Sequence, residues 1–207
     1  MYLAPYKHDY GQIITTDAEG VSVDRSFLAH VNIPAAKAVA ADADGMIDGA
    51  ECTTGAEADP LVITTFLKQP AWPRNIVVTI AATTAGHVAA GDIVVTGLNF
   101  AGEVITEEHA VTVDTPAVFT GTIAFAKVTS VEVPVQDGDS VTVDVGWGDV
   151  FGLPYKLYAD ELVILKLFNK AADAATILND AADIEKNTAD MAGTPDGLKD
   201  IDLYIIV

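Results

Sequence analysis

Through its middle third and again near its end, the chain alternates apolar and polar residues with a period of two. Between Pro73 and Pro154, short Val/Ile/Thr runs are separated by turns bearing Gly and Asp. Successive strand side chains point to opposite faces, so this alternation predicts half-buried strands. Several such strands at close spacing predict an antiparallel β-sandwich or barrel-like domain. Strands are expected over 61–67, 75–82, 92–98, 103–113, 123–133, 139–145 and 162–168. The run 75–80 is apolar enough to be central, and Val141, Val143 and Val145 share one face. The segments 97–102 (GLNFAG) and 136–139 (QDGD) carry the residues that tight turns need. Glu103, Glu107, Asp114 and Glu132 are expected mainly on solvent faces or strand ends. The stretch 146–152 (GWGDVFG) suits a sharp bend at which Trp147 or Phe151 caps the core.

The flanking segments follow other patterns. Residues 1–30 read as an extended N-terminal arm, in which Tyr2, Tyr6 and Tyr10 recur every four positions while Pro5 and Gly11 interrupt any helix. Such tyrosines dock either on their own domain or on a neighbouring surface. Residues 31–59, rich in Ala, Asp and Gly, read as an irregular connection with a short strand at its start. This organisation divides the chain into an arm and connection, 1–60, and a β-sandwich domain, 61–207. Within the domain, Ile177, Ile184 and Met191 recur every seven residues and predict a small Ala/Asp-rich helical insertion over 170–192. After a turn at 193–197, residues 200–207 form an apolar closing strand. It needs a neighbour in its own sheet or in another subunit.

Half of the 207 residues are hydrophobic, which excludes a disordered chain despite a formal charge of −19. With 30 acidic residues against 11 basic ones, the surface would repel nucleic acid and anionic membranes. Neither is an expected partner. The longest apolar runs are far shorter than a membrane span, and the opening MYLAPYKHDYGQIITT has no charged-then-apolar leader, so synthesis in the cytoplasm is expected. One cysteine, Cys52, excludes an internal disulfide.

Candidate chemistry is sparse. The best metal candidate is 40–51 (AADADGMIDGAE), which aligns on Gly45 with a helix–loop–helix calcium loop. Asp42, Asp44, Asp48 and Glu51 fall at ligand positions, but Ala40 at the first position cannot coordinate. The following CTTGAEADP cannot form the exiting helix, so a plain turn is expected. His8, His30, His87 and His109 lack ligand spacing and read as surface or edge residues. Cys52 has no nearby histidine and reads as an ordinary thiol, and no serine sits in a G-x-S-x-G context. Glu107 and Glu108 face opposite ways on a strand, while Asp137 and Asp139 belong to a solvated turn. Trp72 and Trp147 suit a core better than a sugar-stacking platform. No catalytic, cofactor-binding or metal residues are expected.

Two segments carry a resemblance. One runs from 73–79 (PRNIVVT) through a glycine turn and a second Val/Thr strand to 102–107 (GEVITE). The other runs from 125–131 (FAKVTSV) to 146–149 (GWGD) and 152–157 (GLPYKL). In this order they resemble structural proteins of tailed-bacteriophage virions, in particular β-sandwich capsid decoration (cement) proteins. The resemblance covers about residues 70–160 and rests on strand and turn chemistry rather than on a reactive site. It implies a non-enzymatic homo-oligomer on the outer capsid surface, with the major capsid protein as partner. The other reading of a sandwich without a reactive site is a tail- or fibre-associated module binding a cell-surface glycan. That reading expects Trp72 or Trp147 exposed beside Asp and Asn side chains.

Overall fold

The computed structural model describes residues 13–15, 22–24, 27–55 and 58–207. In chain order its strands are β1 (Ile13–Thr15), β2 (Ser22–Asp24), β3 (Leu28–Ile33), β4 (Asp42–Glu51), β5 (Leu61–Ile63), β6 (Arg74–Ala82), β7 (Gly91–Leu98) and β8 (Val104–Val111). They continue with β9 (Ala117–Phe125), β10 (Lys127–Val133), β11 (Val141–Gly152), β12 (Val163–Phe168), β13 (Ala171–Ala172), β14 (Thr176–Leu178), β15 (Thr188–Asp190) and β16 (Ile201–Ile206). Among the described residues the helical content is two single 3₁₀ turns, Asp160–Leu162 and Ile184–Lys186. The protein is mainly β, with antiparallel sheets in a curled, sandwich-like arrangement.

Two cores form. The first lies between the sheet β5-β10-β7-β8 and the sheet containing β9-β6-β11, with β4 on the far side of β11. Its filling is the alternating set foreseen from the pattern: Ile76, Val78 and Ile80 from β6, Ile93 and Val95 from β7, Val131 and Val133 from β10. The second core lies under the sheet β13-β12-β16-β3 and is closed by the end of β11 and by β14-β15. Strand β11 serves both. Val141, Val143, Val145 and Trp147 enter the first core and Phe151 the second.

The glycine-rich stretch 146–152 therefore continues β11 rather than turning sharply. The expected bend survives only as a register shift between Trp147 and Phe151. Glycine is needed because backbones meet here: a Cβ on Gly146 would lie 1.8 Å from the Asp42 carbonyl oxygen. Trp147 does cap the first core, as expected.

Several other expectations are corrected. Residues 123–133 are not one strand but parts of β9 and β10, separated at Ala126, whose N–H donates to the Leu98 carbonyl at 2.8 Å. Residues 42–51 are neither turn nor calcium loop but the ten-residue strand β4. Two register shifts against β11 let adjacent Met46 and Ile47 both be buried, which erases the alternation that would have announced a strand. The helix over 170–192 does not form. Ile177, Ile184 and Met191 do reach one side of the molecule as buried residues, but from β14, a 3₁₀ turn and the residue after β15. The arm reading of 1–30 fails from residue 28 onward, because β3 pairs along its length with β16. Tyr2, Tyr6 and Tyr10 lie outside the described residues. The closing strand β16 finds its neighbours within the chain, β12 on one side and β3 on the other.

Candidate functional site

The densest unusual chemistry lies where the two sheets of the first core meet at an open side, between edge strands β8 and β9. Strand β8 alternates, sending Ile105, Glu107, His109 and Val111 inward. Two of those four inward positions are ionisable, and both side chains are largely buried (Glu107 11% and His109 8% exposed). Strand β9 shifts register between Asn75 and Val77 of β6, which frees the Thr122 N–H from the ladder. Glu107 captures it: Oε1 accepts from the Thr122 N–H at 2.6 Å and from its hydroxyl at 3.2 Å. Gly121 makes room, since a Cβ there would lie 2.3 Å from Glu107 Oε2 and 2.8 Å from the Ile76 carbonyl oxygen.

His109 stacks on Phe119 with ring centroids 5.5 Å apart, and its Nε2 lies 4.0 Å from Glu107 Oε2. Among the described residues neither atom has a hydrogen-bond partner. Burial pulls the His109 pKa below the ordinary imidazole value, and the Glu107 charge opposes that pull. The pair resembles an acid–base dyad in composition, but it stands apart from the neighbouring cavity. The neighbouring cavity of about 480 Å³ is lined by Thr122, Ile123, Asp160, Asp180 and Lys186, without Glu107 or His109. Two of its ionic groups are already engaged. Lys186 donates to Asp183 at 2.7 Å, and Asp180 accepts from the backbone of Ala182 and Asp183. What the seam can do is join two sheets across an open side and place charge inward on an edge strand, which discourages edge-to-edge pairing there.

Arg74, the first residue of β6, is wholly buried where the two cores meet. Its guanidinium carbon stands 4.2 Å from the Phe151 ring centroid, and Nη1 donates to the Val39 carbonyl at 2.8 Å. Nε and Nη2 have no partner among the described residues. Burial lowers its pKa to about 10, against a raising influence from Asp149. Among the described residues no carboxylate forms an ion pair with it.

A third polar cluster sits on the outer face of the second sheet. Asp202 on β16 accepts from His30 at 2.7 Å and Asn32 at 2.8 Å through Oδ1, and from Lys170 at 2.7 Å through Oδ2. Burial alone would raise the Asp202 pKa, but the hydrogen bonds from Lys170, Asn32 and His30 overcome it and hold the value at about 2.

The candidates from sequence fare as follows. Asp42, Asp44, Asp48 and Glu51 are strung along β4, and among the described residues no three His, Cys, Asp or Glu gather into a metal site. His30 and His109 do lie on edge strands, but His109 and Glu107 face the core rather than solvent. Their position between inward Ile105 and Val111 is the signal that would have found them. His87 Nδ1 donates to the Asp139 carbonyl, and His8 lies outside the described residues. Burial pushes the Cys52 thiol up to about 11, in keeping with an ordinary thiol. Asp137 and Asp139 are exposed in their turn. Trp147 is 5% exposed, with its Nε1 donating to the Ala40 carbonyl. Trp72 is partly buried: its Nε1 donates to the Gly152 carbonyl, while Phe100 and Lys37 cover the ring. Neither tryptophan offers the open face that glycan stacking requires.

Comparison of the chain with protein-family models, with curated proteins and with solved structures gave no match.

Proposed function

We propose that this chain is a non-enzymatic structural protein of a tailed-phage particle, decorating and stabilising the outer surface of the capsid through contacts with the major capsid protein and with copies of itself. The reading rests first on the resemblance carried by residues 70–160. The observation that supports it best is the use made of buried polar side chains. Asn75 bonds the Gly121 carbonyl and the Val150 N–H, Gln136 the Ala89 N–H and the Pro134 carbonyl, and Asn187 four backbone groups of its surroundings. These side chains hold backbone in place rather than converging on a cleft, which suits a structural role better than catalysis. The formal charge of −19 fits an outer surface better than contact with packaged DNA.

Quantitative mass spectrometry of purified particles tests the assignment. Copies comparable to the shell protein are expected. A handful per particle would move the protein to the tail or a single vertex, and absence would sink the virion reading.

A further inference from the structure

The sheet edges of this molecule are guarded unequally. Among the described residues, β1, β2, β5, β13 and β14 are at most three residues long. Strand β4 carries Asp42, Asp44, Asp48 and Glu51, and β8 carries Glu107 and Glu108. Strand β9 is uncharged but bulged at 121–123, where Glu107 grips it. Short length, charge and bulges are the devices by which natural sheets avoid edge pairing. Strand β3 has none of them. It runs six residues, LAHVNI, in unbroken register with β16. Residues 27–36 contain no Asp, Glu, Lys or Arg in a chain of formal charge −19.

The free groups can be assigned. Phe27 and Val207 exchange both backbone hydrogen bonds at 2.8 Å, so they are a hydrogen-bonded pair. Antiparallel pairing alternates, which makes Ala29, Val31 and Ile33 the next residues bonded to β16. The N–H and C=O groups of Leu28, His30 and Asn32 point to the open side, with no partner there among the described residues. Their side chains are exposed, Leu28 by 60%.

We infer that β3 is the two-fold interface between two copies of this chain, paired antiparallel with His30 opposite His30 of the second copy. That register pairs Leu28 with Asn32 of the second copy and reciprocally, so all three outward-facing residues of each strand bond. It joins the two second sheets into one continuous sheet. A second copy is the occupant that the charge pattern favours. Over most of their surface two such acidic molecules repel, whereas this unbulged stretch meets itself without a like charge. Self-association through β3 does not require a capsid. A monomer sinks it while the particle assignment stands, and absence from particles does the reverse.

The test uses the full chain. Light scattering behind size exclusion is expected to give twice the chain mass, with Leu28→Pro returning the monomer because it removes only an outward N–H. In a Cys52→Ser background, His30→Cys should crosslink to itself on mild oxidation. Hydrogen-bonded antiparallel pairs hold Cα atoms about 5.5 Å apart, within disulfide reach. Leu28→Cys, about 14 Å from its own symmetry mate in this register, should not. A full chain that is monomeric at all concentrations overturns the inference. So does equal crosslinking of the two cysteine variants, or a monomer that dimerises only when residues 1–26 are removed, which would make that segment the occupant of the edge.

Discussion

The two cores are held by different means. The first is filled by Val and Ile delivered largely in alternation from β6, β7, β10 and β11, with Glu107 and His109 as the ionisable pair at its open side. The second gathers residues 31–38, 151–163 and 175–205, and much of its backbone is irregular. There a single amide replaces what alternation does in the first. Asn187, wholly buried, accepts from the Leu157 and Asp180 N–H groups and donates to the Asp180 and Asp183 carbonyls. Regular strands satisfy their own backbone through the ladder. Irregular segments leave buried backbone groups that only side chains can satisfy.

The sharpest way to break this contrast is Asn187→Ala, which strips the Leu157 and Asp180 N–H groups and the Asp180 and Asp183 carbonyls of their side-chain partner and should lower stability by about 3 kcal/mol. Urea denaturation measures the loss. Hydrogen exchange should place it first in residues 153–190, with β7 and β10 keeping their protection. A uniform loss would mean that the two cores open as one.

Acid should separate them as well, through Asp202 in the second lobe. Its folded pKa of about 2 lies below the unfolded carboxylate value. The stabilisation is therefore present above about pH 4 and lost as pH falls toward 2. Asp202→Asn should cost roughly 1–2 kcal/mol at neutral pH, discounted for partial solvent screening. The gap to the native chain should close over that acid range in pH-resolved unfolding.

The smallest effect is expected from His109 in the first lobe. Its folded pKa is depressed, so stability is present above the unfolded imidazole value near 6.5 and declines as pH falls below it. His109→Phe should flatten the pH dependence just below about 6.5 and leave the lower Asp202 window untouched. Were the two windows to move together, the lobes would be one electrostatic unit.

The legibility of the sequence divides along the same line. Strands β7 and β8 are legible because one face is buried and the other wet, and β6, β12 and β16 because they are short apolar runs bounded by turn residues. Strand β4 was hidden by Met46 and Ile47 buried side by side, and β9 by the register shift around Gly121. The seven-residue recurrence of Ile177, Ile184 and Met191 reported burial correctly and backbone wrongly. Asn187 supplies locally the hydrogen bonds that a helix would otherwise have made. At the seam, Glu107 and His109 were legible as positions on an apolar face, but their residue types argued for solvent. Their partner Thr122 sits on another strand, which no local pattern reveals.

The pairing of β3 with β16 also carries a consequence in time. His30 and Asp202 are 172 positions apart in the chain, whereas β12 and β16 lie close in sequence. Closing the longer loop costs more entropy before any contact rewards it, and topologies dominated by such pairings fold slowly. Strand β3 is then the last to dock on its sheet, and until it does, β16 stands as a bare edge. Changes in β3 should therefore appear first in refolding yield, through intermediates caught by aggregation, before they appear in equilibrium stability.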